Sequence, residues 1–90
     1  MEKEKVFRKL KTEELLKLEN NQIVSMLYLA YNKFKYWYLI EPNHIFLSSK
    51  ILCRLRAEAY IDFKYNVLFG LTIIELNPDD DCFVALIEEI

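Results

Sequence analysis

Several absences narrow the chemistry open to this chain. It has a single glycine, Gly70, so no glycine-rich loop can cradle a phosphate. Its single histidine, His44, enters an apolar stretch and reads as a structural residue, not as a base beside a nucleophile. Cys53 and Cys82 show neither a CxxC spacing nor a His/Cys cluster at zinc spacing. Both are expected in the core as small apolar side chains, not joined in a disulfide. Uninterrupted apolar runs such as Val67–Leu71 fall far short of the roughly 20 residues of a membrane helix. The segment Met1 to Lys9 has no apolar stretch resembling a signal peptide, so the cytoplasm is the expected location and no membrane partner is expected.

Basic residues are missing from the C-terminal third. Residues 1–64 hold all twelve Lys and Arg against eight acids, a net +4, whereas residues 65–90 hold six acids and no base, a net −6. Such a chain has a basic and an acidic end, able to stack head to tail or to dock a basic partner.

What is present is apolar and regular. At 53% hydrophobic and 14% aromatic, the chain is too apolar to stay disordered. Ninety residues make one domain, residues 1–90, near the size at which a single core is only just sufficient. With one Gly and two Pro, it should consist of regular elements with few long loops.

Residues 2–11 alternate acids and bases and predict a solvated helical start or a loose arm. Thr12 followed by Glu13 and Glu14 predicts a helix N-terminus, with a hydroxyl to cap free amides and carboxylates at the positive end of the dipole. From Gln22 to about Tyr36, Ile23, Met26/Leu27, Ala30/Tyr31, Phe34 and Tyr38 recur at helical spacing. Glu41-Pro42 must end that helix, and period alone leaves Tyr36–Ile40 open between a last turn and a short strand. His44–Leu47 reads as a strand. Ser48 or Ser49 caps a helix reaching Tyr60, with Ile51, Leu52, Leu55, Ala59 and Tyr60 inside and Lys50, Arg54, Arg56 and Glu58 on its wet side, followed by a polar exit from Asp62 to Asn66. Leu68–Leu76 reads as a strand with a bulge or a close backbone approach at Gly70. The Asn77–Asp81 turn leads to a strand Cys82–Ile87, expected to pair with it as a hairpin. The expected fold class is α+β: N-terminal helices, then a small, mostly antiparallel sheet with one helix packed across it.

One series in this half is similar to a known pattern. Ile45-Phe46-Leu47-Ser48-Ser49, a helix with Leu52 and Leu55, then Leu68-Phe69-Gly70-Leu71-Thr72-Ile73 and a closing Phe83-Val84-Ala85-Leu86 resemble a segment of the major capsid fold of tailed phages. The resemblance covers residues 42–87. It implies a strand leading to a helix, a leucine–aromatic–glycine–apolar strand and a closing strand. A whole capsid subunit is several times longer. The implied role is a small phage-type structural or accessory protein, in the virion or in the cytoplasm of a bacterial host.

The acidic turn places oxygen-bearing residues at positions 1, 3, 5 and 12 of a calcium-type loop counted from Asn77. Cys82 stands where that loop needs glycine, and Pro78 takes its second position, so a solvated turn is expected, with no metal and no cofactor. The expected function is non-catalytic protein–protein contact, with a partner protein or further copies of the chain. Six tyrosines and a tryptophan exceed what so small a core hides, and such rings anchor interfaces. Tyr28, Tyr36 and Trp37 point away from the helical stripe and, with Asp79, Asp80 and Asp81, are the candidate contact residues. The alternative is single-stranded nucleic acid bound by the Lys/aromatic segment 31–38, with Lys33, Lys35, Trp37, Arg54 and Arg56 as its residues. The acidic C-terminal third disfavours it.

Overall fold

A computed structural model describes residues 2–6, 9–61 and 64–89 of the chain. In order it contains β1 (Glu2–Val6), α1 (Thr12–Leu15), α2 (Asn20–Tyr38), β2 (His44–Ser48), α3 (Ser49–Ala57), β3 (Val67–Leu68), β4 (Leu71–Leu76) and β5 (Phe83–Glu89). The strands form one sheet in the order β1-β5-β2-β4-β3. Three of its pairings are antiparallel and β2–β4 is parallel. The class is α+β, as expected. The predicted polar exit begins at Asp62, outside the described residues, as do the side chains of Glu88 and Glu89.

Local chemistry accounts for the helices. A capping box opens α2: the Glu19 side chain accepts the Gln22 N–H, and Gln22 Oε1 accepts the Glu19 N–H at 3.0 Å. Ile23, Leu27 and Phe34 then line one face and are fully buried. The helix runs through Tyr38, which settles the segment left open between helix and strand. Leu39 ends it in the left-handed region at φ 57°, donating its N–H to the Lys35 carbonyl at 2.9 Å. In α3 the buried stripe is Ile51, Leu52 and Leu55; the helix ends at Ala57, and Ala59, left-handed at φ 61°, turns the chain away so that Tyr60 is exposed and does not extend the stripe as expected. Cys53 lies on the opposite side and is exposed, contrary to its expected burial, whereas Cys82 is buried; both thiols are free.

The strands depart from expectation in three places. Residues 2–6 are neither helix nor loose arm but an edge strand paired with β5, Val6 opposite Ala85. Leu68–Leu76 is broken at Gly70, which is neither a bulge nor a close approach, since nothing lies within 4 Å of where its Cβ would stand. Phe69 at φ 55° and Gly70 at φ 78° make the two-residue turn of a β3–β4 hairpin. Both central residues of that turn are left-handed, which suits glycine and strains phenylalanine. Tyr28 at 5.1 Å and Tyr31 at 6.0 Å hold the Phe69 ring in place. Finally, β5 does not pair with β4. The parallel β2–α3–β4 crossover leaves β2 between them, and β5 joins the far edge of β2.

The main hydrophobic cluster lies on one side of this sheet. Ile45 and Leu47 of β2, Ile73 of β4 and Val84 of β5 form one buried cluster with Ile23, Leu27 and Phe34 of α2 and Ile51, Leu52 and Leu55 of α3. Where one packed helix was expected, α2 and α3 therefore share a face. A polar knot ties its margin. The Thr12 hydroxyl lies 2.6 Å from the Asp80 carbonyl and 2.7 Å from Ser48 Oγ, and Cys82 Sγ is 3.7 Å from each hydroxyl. A carbonyl only accepts, so Thr12 donates to Asp80 and Ser48 supplies the proton between the two hydroxyls. This knot explains why neither residue acts as the expected cap: Ser48 stands at the α3 N-cap with its side chain turned into the cluster, and Lys11, not Thr12, precedes α1.

Candidate protein-interaction surface

The C-terminal end of α2 displays the most exposed aromatic rings among the described residues. Tyr36 is 82% exposed and Trp37 65%, and Leu39, where the chain turns left-handed, is 88% exposed. Ile40 follows, also exposed. Tyr36 lies almost opposite the Ile23–Leu27–Phe34 stripe, so the helical period itself turns it to solvent. Trp37 is nearer that stripe in angle, yet it lies in the helix's last turn.

The other predicted contact residues are elsewhere. Tyr28 is 49% exposed, but its ring packs edge-on against Phe69 and 5.9 Å from Tyr31, which makes it part of the hairpin clamp. Asp79 forms an ion pair with Lys50 at 2.7 Å. Asp80 Oδ2 accepts the Asn77 N–H at 3.1 Å, and its carbonyl takes the Thr12 proton. Asp81 is half-buried and shares a shallow concavity with Lys9, Leu76 and Phe83. The acidic turn is thus largely engaged in holding the junction between β4 and β5.

The residues of the nucleic-acid alternative are dispersed in role. Arg54 donates to the carbonyls of Leu16 and Leu18 at 3.0 and 2.9 Å, closing the turn after α1. Arg56 donates to Asn66 Oδ1 at 3.0 Å. Lys35 lies 4.3 Å from the centre of the Tyr31 ring on its own helix. Lys33 is exposed beside a groove of about 130 Å³ floored by Leu10, Met26, Leu29 and Ala30. Arg54 and Arg56 therefore already have partners within the fold.

His44 has a structural partner as well. Asn43 runs alongside β5, donating to the Ile87 carbonyl and accepting the Ile87 N–H, and its Oδ1 lies 2.7 Å from His44 Nδ1. That oxygen only accepts, so Nδ1 carries the proton. Among the described residues, no three His, Cys, Asp or Glu side chains are grouped to hold a metal ion, and no helix is long and apolar enough to cross a membrane.

The sequence reading missed Leu39 and Ile40, because an exposed leucine leaves no signal in periodicity. It also missed the apolar character of the second sheet face, although the alternation His44/Phe46 against Ile45/Leu47 carries it. No family model, curated protein or solved structure matches the chain.

Proposed function

We propose that this protein works by binding another protein through the C-terminal end of α2, with Tyr36, Trp37, Leu39 and Ile40 as the contact and no chemistry of its own. The observation that carries this reading is Leu39. A left-handed conformation costs a side chain roughly 1–2 kcal/mol, and glycine is the usual residue at such a helix end. Here a leucine takes it and stands almost fully in water, beside an exposed tryptophan and tyrosine. Strain and apolar exposure at one point make sense where a partner covers that point. In its narrower forms the reading is a phage-type structural or accessory subunit, or an inhibitor seated on a host protein.

Light scattering on the protein purified from its native source, read at protein and nucleic-acid wavelengths, tests the proposal. The expected species is a complex with a second protein that is lost in a Trp37→Ser/Leu39→Gly variant at least as thermally stable as the native chain. Elution as this chain alone would contradict it. So would co-elution with nucleic acid that about 0.5 M salt removes, which would favour phosphate contact instead.

A further inference from the structure

The second face of the sheet is made by His44 and Phe46 on β2, Ile74 and Leu76 on β4, and Phe83 and Ala85 on β5. Strand register sets Phe46 directly between Phe83 and Ile74. The two phenylalanine rings stack at 4.5 Å with 13° between their planes. These side chains lie outside the buried cluster that α2 and α3 cover. Phe46, Ile74 and Leu76 are half-buried, whereas Phe83, under the Lys9 side chain, and Ala85 are buried. A solvated sheet face normally carries polar residues at alternate positions. This one carries His44 and Thr72 at one end but phenylalanine, isoleucine and leucine over the rest, the composition of a contact surface.

The rim of this face indicates what covers it. Lys9 lies 5.0 Å from the centre of the Phe83 ring, and it lines one concavity with Leu76, Phe83 and the acidic turn. Both signs of charge therefore flank the same end of the apolar face. Asp79 is paired with Lys50, whereas among the described residues neither Lys9 nor Asp81 has an ion-pair partner. We propose that two copies of the chain pack these sheet faces together about a two-fold axis, with Lys9 of each copy meeting Asp81 of the other. An isologous contact repeats each pairing twice, so a patch bearing both signs complements itself. This face of the three strands spans roughly a few hundred Å² from their spacing, which places this dimer among small, transient interfaces with a Kd in about the micromolar range or weaker. The surface is distinct from the end of α2, and the proposal holds or fails independently of the function proposed above.

Sedimentation equilibrium of the purified full chain over a concentration series tests it. The expected behaviour is a monomer–dimer equilibrium, with Lys9→Glu and Asp81→Lys each weakening the dimer by about tenfold. An equimolar mixture of the two variants should recover the native constant as a heterodimer, because Glu then faces Lys at one contact and Asp faces Lys at the other. A chain that stays monomeric throughout would overturn the proposal. So would a dimer indifferent to both changes, or one that the mixture fails to restore. The native series alone decides the first point should either variant fold poorly.

Discussion

The two faces of the sheet share strands and residue types but not surroundings. On the covered face, Ile45, Leu47, Ile73 and Val84 meet two helices and are almost wholly buried. On the other, Phe46 and Ile74 occupy the intervening positions of β2 and β4, half-buried and outside the cluster that the helices cover. The covered face carries the stability of the fold. The second face and the end of α2 carry apolar surface outside that core, and the two proposed contacts use it.

Truncating the core is the strongest way to break this contrast. Phe34→Ala should cost about 3–5 kcal/mol, a large share of a small domain's stability, while Phe46→Ala on the second face should cost well under half as much. Urea midpoints of the two variants measure the gap, and equal losses would mean that the faces do not differ. Next comes the polar knot at the covered margin. Thr12→Val leaves the Asp80 carbonyl without its donor and should cost about 1–3 kcal/mol in the same assay. At the end of α2 the sign reverses. Leu39→Gly relieves the left-handed strain without losing packing and should stabilise by about 1 kcal/mol, raising the melting temperature by several degrees, while weakening partner binding. The smallest effect concerns the cysteines. Cys53→Ser should change stability by no more than about 0.5 kcal/mol, and a thiol reagent should label Cys53 in the folded protein but Cys82 only on unfolding, as mass spectrometry of quenched samples would show.

The sequence made the helices legible because their signals are local: the Ile23–Leu27–Phe34 spacing, the Pro42 stop and the Ile51–Leu52–Leu55 stripe. The same stripe, taken as an angle, sets Cys53 opposite the buried side, so its exposure was readable. The sheet was less so. Its β2–β4 and β5–β2 pairings join residues far apart in the chain, and no local pattern distinguishes β5 beside β4 from β5 beside β2. Gly70 signalled an irregularity, but a bulge and a two-residue turn both call for glycine. β1 escaped notice because its alternating charges contain no apolar stripe. Thr12 and Ser48 misled for a physical reason: a hydroxyl near a helix start can cap it or turn away, and here a buried cluster formed by distant residues claims both. At the surface, the aromatic excess gave Tyr36 and Trp37, while Leu39 emerges only from its backbone conformation.

The sharpest experiment places a photo-crosslinking amino acid at residue 37 and, in a separate variant, at residue 46, each expressed in the native cell. Capture of one defined foreign protein from residue 37, abolished by Leu39→Gly, together with capture of a second copy of this chain from residue 46, is the expected result. Diffuse capture at residue 37 that Leu39→Gly leaves unchanged would contradict the view that the end of α2 is where this protein meets its partner.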